Sequence, residues 1–189
     1  ILDSIDSVII DDPNNINTLE IHNFEIDIVV LIEQLFHTDF NRCYQAMKEL
    51  KQYSLDEVIH YLNSNWDRAK SDYGALYFFI NAYKFILEKG YYDKSILQKV
   101  DFLLSDDWPD YMKFKSSAIQ ALGYLSDDRF YNMSNQLSDE RLTPFWKNRY
   151  TALLVSQNKQ IYMKKDFAKL FIDDSHRFVR LKARQICFC

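Results

Sequence analysis

The sequence predicts an all-α protein, an α-α superhelix built from antiparallel helix pairs. Three observations carry that prediction. Gly and Pro number only three each in 189 residues, against usual shares of about 7% and 5%, so the tight turns that many short strands require are scarce. Apolar residues recur at helical i, i+3, i+4 spacing through most of the chain. An acidic turn returns after 33 residues, Asp106 to Asp139, and again after 34, Asp139 to Asp173, which is the length of one helix-turn-helix unit.

Residues 1–22, ILDSIDSVIIDDPNNINTLEIH, alternate Ile with acids and Asn around Pro13. They carry no helical period and read as an N-terminal arm, with a short strand or turn at Ser7 to Ile10. Residues 23–189 read as one helical-repeat domain. Asn23 is a good N-cap, and the helix after it places Phe24, Ile28, Leu31, Ile32 and Leu35 on one face, widened by Val29 and Val30. Thr38 opens a second helix in which Phe40, Tyr44, Met47 and Leu50 stand at helical spacing. Ser54 and Glu57 form a capping box, each side chain serving an amide at the other end of the turn, and start a helix that runs to about Asn63. The longest helix lies in DYGALYFFINAYKFILEKG, with Leu76, Phe79, Ile80, Tyr83, Ile86 and Leu87 as its apolar stripe and Gly90 as the left-handed cap. Ser95 opens the next.

From residue 95 to the C-terminus the units become regular, whereas residues 23–94 form less regular helix pairs. LLSDDWPDYMKFKSSAIQALGYL, QLSDERLTPFWKNRYTALLVS and LFIDDSHRFVRLKARQICF share an apolar helix end, an acidic turn, a basic residue and an alanine three positions later. The basic residues are Lys115, Arg149 and Arg180, and the alanines Ala118, Ala152 and Ala183. Such a unit buries its apolar face only by stacking on the next. The small alanine permits close helix approach, Pro109 and Pro144 fall near a first helical turn, where a missing amide costs little, and a buried ladder of acids and bases between neighbours is expected to set the stacking register. The pattern resembles the HEAT repeat family, and the resemblance implies a solenoid that binds through the face formed by the second helix of each pair.

Composition narrows the function. Hydrophobic residues make up 48% of the chain and charged residues 26%, so it has the apolar material to offset ordering entropy. A net charge of -4 disfavours a general nucleic-acid binder. No run of about 18 apolar residues suggests a membrane span. Cys43, Cys187 and Cys189 form an odd set whose default is free thiols in a reducing cytosol, and the expected location is cytoplasmic. His22, His37, His60 and His176 have no metal-binding spacing, and no phosphate loop or serine-nucleophile motif occurs. No catalytic residue, metal or cofactor is therefore expected, and the chain is read as a non-enzymatic protein-binding module.

The binding residues proposed are Trp108, Tyr111, Trp146, Arg149, Arg177, Arg180 and Arg184, because Trp, Tyr and Arg dominate interface hot spots and Arg177, Arg180 and Arg184 fall on one helical face. Small, acidic, Asn- and Tyr-rich helical-repeat chains resemble bacterial immunity proteins. That resemblance implies a protein partner, a basic toxin domain steered into an acidic groove. A scaffold or adaptor segment of a longer protein is the second reading. A HEAT-like nucleic-acid binder or DNA glycosylase-like enzyme is the third.

Overall fold

The computed structural model describes residues 27–105, 107–109 and 112–188. The expected arm at 1–22, the expected cap Asn23 and Phe24, together with Asp106, Tyr111 and Cys189, lie outside these residues. Twelve α-helices and no strand occur among them: α1 (Ile28–Gln34), α2 (Phe40–Glu49), α3 (Leu55–Ser64), α4 (Trp66–Ala69), α5 (Tyr73–Glu88), α6 (Lys94–Leu104), α7 (Lys113–Ala121), α8 (Asp127–Asn132), α9 (Ser134–Ser138), α10 (Trp146–Ser156), α11 (Ile161–Lys169) and α12 (Arg177–Phe188). Short 3-10 turns at Leu50–Gln52 and Leu122–Tyr124 tighten the ends of α2 and α7.

The helices pack as pairs, in which α3 with α4, and α8 with α9, each fill the place of one helix. In one layer α2, α5, α7, α10 and α12 follow each other side by side, every helix resting on the next. We call this the B layer; the helices that precede its members in the chain form the A layer. Side-chain bonds between units record the repeat directly. Arg68 to Glu33 spans 35 positions, Asn81 to Ser117 spans 36, Ser116 to Thr151 spans 35 and Ser175 to Glu140 spans 35. These intervals agree with the spacing of the acidic turns, as stacking of successive units requires.

Local chemistry places most helix ends. Asp27, Asp39, Asp72 and Asp93 each accept an amide of the turn they precede, at 2.7 to 3.0 Å. The cap of α2 is thus Asp39 rather than Thr38, and that of α6 is Asp93 rather than Ser95. At α3 the amide of Glu57 donates to Ser54 Oγ at 3.4 Å, and the Ser54 hydroxyl donates to Glu57 Oε2 at 2.6 Å, so the glutamate holds the serine side chain. Gly90, with φ of 80°, ends α5, and the amide of Tyr91 returns to the carbonyl of Ile86 at 3.3 Å.

Burial corrects two of the expected faces. Ile28, Leu31, Ile32 and Leu35 are buried, but Val29 and Val30 point to solvent. On α2 the buried stripe is Cys43, Ala46 and Leu50, and Phe40 and Tyr44 stand outside it, with the Phe40 ring on Tyr77 and Phe78 of α5. Much of the core is aromatic: Phe79, Tyr83, Phe114, Phe167 and Phe171 are all sealed from water. Each such side chain contributes about 1.5 to 3 kcal/mol by leaving water.

Stacking also involves buried charge. Arg149, only 2% exposed, donates Nε and Nη2 to the two oxygens of Asp174 at 2.6 and 3.0 Å. Its Nη1 donates to the carbonyls of Thr143 and Pro144 at 2.7 and 2.9 Å. Arg180 repeats the second half of this device, reaching the carbonyls six and five residues before it, Asp174 at 2.5 Å and Ser175 at 2.7 Å. Among the described residues, the expected ladder is this one fully buried acid-base pair and a half-buried one, Lys159 to Asp127 at 3.5 Å. Around it, cations close the turns: Lys159 donates to the carbonyls of Gly123 and Leu125 at 3.2 and 2.7 Å. Pro144 sits ahead of α10 rather than within its first turn, and its carbonyl serves the arginine.

Candidate functional site: a basic, aromatic trough between α10 and α12

Charge is unevenly distributed over the B layer. Helices α7, α10 and α12 contain Lys113, Lys115, Lys147, Arg149, Arg177, Arg180, Lys182 and Arg184 and not one Asp or Glu, although the chain as a whole carries a net charge of -4. Several of these cations serve the fold. Lys115 and Arg149 are buried, Arg180 is bound to the turn before α12, and Arg184 Nη2 donates to the carbonyl of Ile172 at 3.4 Å. Lys113, Lys147 and Arg177 remain exposed.

On α10 the buried side is formed by Asn148, Arg149, Ala152, Leu153, Val155 and Ser156. Helical geometry leaves Lys147, Tyr150, Thr151 and Leu154 as a stripe on the other side. On α12, with Val179, Ala183 and Ile186 inside, Phe178 faces the same way. The result is a cleft of about 440 Å³ lined by Ser116, Trp146, Lys147, Tyr150, Thr151 and Phe178. A hydroxyl bond between Ser116 and Thr151, 3.4 Å, joins α7 to α10 along it.

Three aromatic rings shape the wall. The Trp146 indole lies parallel to the His176 imidazole, centroids 4.0 Å apart and planes 6° apart, so its orientation is set from behind. Tyr150 and Phe178 approach the same indole at 6.3 and 5.9 Å. Lys147 Nζ is 5.9 Å from the Trp146 ring centre, with no carboxylate within 4 Å among the described residues. A cleft of this make-up presents flat π surfaces and an exposed cation without a competing anion within 4 Å among the described residues. It suits a planar, conjugated ligand carrying negative charge.

The residues singled out from the sequence are scattered. Trp146 lines the cleft. Trp108 packs at 5.3 to 5.7 Å against Tyr73, Phe102 and Phe114, its Nε1 donating to the carbonyl of Phe102 at 3.0 Å. Tyr111 lies outside the described residues. Arg149 makes its four bonds inside the protein, Arg180 and Arg184 turn back onto residues 172–175, and Arg177 stands free of the cleft lining. Sequence reasoning passed over Lys147, Tyr150, His176 and Phe178. The signal that marks them is the absence of acids from helices 113–121, 146–156 and 177–188. Among the described residues no group of three or more His, Cys, Asp or Glu is placed to hold a metal ion, and no helix is long and apolar enough to cross a membrane.

No family model matches the chain, and no solved structure matches it. Two curated proteins do. One, from Synechococcus sp. (strain WH8020), is 27% identical over an alignment of 196 residues that covers 97% of this chain and 45% of that protein. The chain is similar to the bilin biosynthesis protein CpeY. The second, the uncharacterized phycocyanin operon protein Y of Pseudanabaena tenuis (strain PCC 7409), is 25% identical over 151 residues, 79% of this chain and 34% of that protein. The chain spans less than half the length of either relative.

Similarity to a bilin biosynthesis protein over almost the whole chain overturns the toxin-neutralising role, and with it the reading as a non-enzymatic binding module. The geometry agrees with that correction. An inhibitor of a basic toxin requires an acidic groove, and the cleft found here is lined by helices that carry cations and no acid.

Proposed function

We propose that this chain is the chromophore-holding part of an enzyme of bilin biosynthesis, a HEAT-like stack of helix pairs that grips a linear tetrapyrrole in the trough between α10 and α12. The observation that carries the reading is the pairing of Trp146, Tyr150 and Phe178 with Lys147 in an acid-free cleft of ligand size. A bilin is a long conjugated chain of four pyrrole rings with two propionate carboxylates. Its rings gain from stacking on indole and phenyl faces, and its carboxylates from charge-assisted bonds to lysine. The similar proteins support the same class, one a bilin biosynthesis protein by name and the other a protein of a phycocyanin operon. A phycobiliprotein that receives the chromophore is the corresponding protein partner.

Titration of the purified chain with biliverdin tests the reading through the pigment's visible absorbance and circular dichroism. A held bilin takes one twist and acquires a visible dichroic band with a stoichiometry of one. Phe178 and Lys147 are exposed, so Phe178→Ala and Lys147→Glu leave the fold in place; each weakens binding about tenfold, equivalent to about 1.4 kcal/mol. Absence of any saturable dichroic signal for the unmodified chain refutes the proposal.

A further inference from the structure

The groove does not end at Phe178. Along α10 the stripe Lys147, Tyr150, Thr151 and Leu154 leads on to Gln157, and along α12 Phe178 leads to Lys182 and Gln185, at helical steps of three and four. Beyond Leu154, which is exposed, a second cavity of about 220 Å³ opens between the C-terminal ends of these helices and α11. It is lined by Gln157, Ile161, Lys164, Lys165, Gln185 and Ile186. Tyr150 and Gln157 are seven positions apart, so the two cavities are separated by about 10 Å along the helix.

The polar lining is made of donors. Lys182 Nζ donates to Gln185 Oε1 at 3.1 Å and to Gln157 Oε1 at 3.5 Å, which uses the amide oxygens and leaves both amide NH2 groups as donors. Lys164, Lys165 and Lys182 are all half-buried, and among the described residues none has a carboxylate within 4 Å. Asp166, the acid beside them in sequence, pairs instead with Lys169 at 2.8 Å. Lys164 and Lys165 thus line the cavity beside two glutamine amides, and Lys182 holds those amides at its edge, so an anion there meets cations and N–H donors.

We infer that the cavity between α11 and the ends of α10 and α12 is an oxyanion site, which takes a carboxylate or phosphate group on Lys164, Lys165 and the amides of Gln157 and Gln185. With a carboxylate as its source, the site deepens the bilin reading and rests on it: rings lie on Trp146 and Phe178 while a propionate reaches the lysines. With free phosphate as its source, the site stands without that reading.

The experiment compares the full chain with Lys164→Gln/Lys165→Gln and with Gln185→Glu, which sets a carboxylate in the cavity. Inorganic phosphate is titrated against the side-chain NH2 signals of Gln157 and Gln185 by NMR, and biliverdin is compared with its dimethyl ester. The site predicts saturable phosphate shifts, and biliverdin binding at least about tenfold tighter than its ester; in either variant the phosphate shifts are lost and the preference falls to what Lys147 alone supplies. Phosphate shifts without acid-over-ester preference assign the site to phosphate, and they do so even when biliverdin fails to bind and the bilin reading falls. Absence of both effects in the unmodified chain overturns the inference. Persistence of either one, undiminished, in both variants also overturns it.

Discussion

Replacement of Asp174 by alanine tests the stacking device that positions α12, one wall of the trough. The carboxylate accepts two bonds from Arg149, at 2.6 and 3.0 Å, and one from the amide of His176 at 2.8 Å. Without it a guanidinium that is 2% exposed keeps only the carbonyls of Thr143 and Pro144. Removal of one partner from a buried pair costs about 3 to 5 kcal/mol. Glu140 Oε2, 3.9 Å from Arg149, retains part of the compensation and sets the expectation near the lower bound, about 3 kcal/mol. Urea unfolding followed by circular dichroism measures the loss. Asp174→Asn keeps an acceptor for the His176 amide but not the charge, and so separates the turn contribution, about 1 kcal/mol, from the ion pair. Arg149→Met combined with Asp174→Asn destabilises by less than the sum of the two single changes. A loss under about 1 kcal/mol for Asp174→Ala, or strict additivity in the double variant, refutes the reasoning.

Two further outcomes follow from burial and charge. Burial raises the pKa of the Cys43 thiol, which donates to the carbonyls of His37 and Asp39 at 3.1 and 3.4 Å, so Cys43 alkylates far more slowly than the half-exposed Cys187; equal rates in a mass-resolved iodoacetamide time course contradict this. The side-chain bond from Arg141 holds the Asp139 carboxyl at about 2, below its ordinary 3.8. A depressed acid contributes stability above its unfolded pKa and loses that contribution as pH falls, here between about 4 and 2. Carboxyl NMR is expected to show Asp139 titrating near 2 in the native chain and higher in Arg141→Gln, where the amides of residues 141 and 142 keep part of the depression; an unchanged titration in that variant counts against the assignment.

What could be read from the sequence was local or periodic. The Ser54 and Gly90 caps depend on a few neighbouring residues, and the repeat follows from spacing alone. Faces were harder to assign, because periodicity cannot tell a buried apolar residue from one that covers a neighbour. Val29, Val30 and Phe40 are cases in point. Alignment of the units on their acids also misplaced the register of the stacking device. Counted from the arginine, the position that Asp174 fills before Arg180 is held by Thr143 before Arg149, and Asp139 instead bonds Arg141 within its own turn. The trough draws Ser116, residues 146–151 and Phe178 from three helices, a convergence that requires the packing. Trp146 alone was picked out beforehand, and the groove was expected to be acidic, whereas the three helices that line it carry no acid.

The central claim is that a bilin occupies the groove between α10 and α12. Hydrogen-deuterium exchange of the full chain with and without saturating biliverdin tests it most directly. The account predicts added protection concentrated in α10, α12 and the start of α11, with α1 to α5 unchanged. Protection confined to α1 to α5, or no protection at saturation, contradicts it.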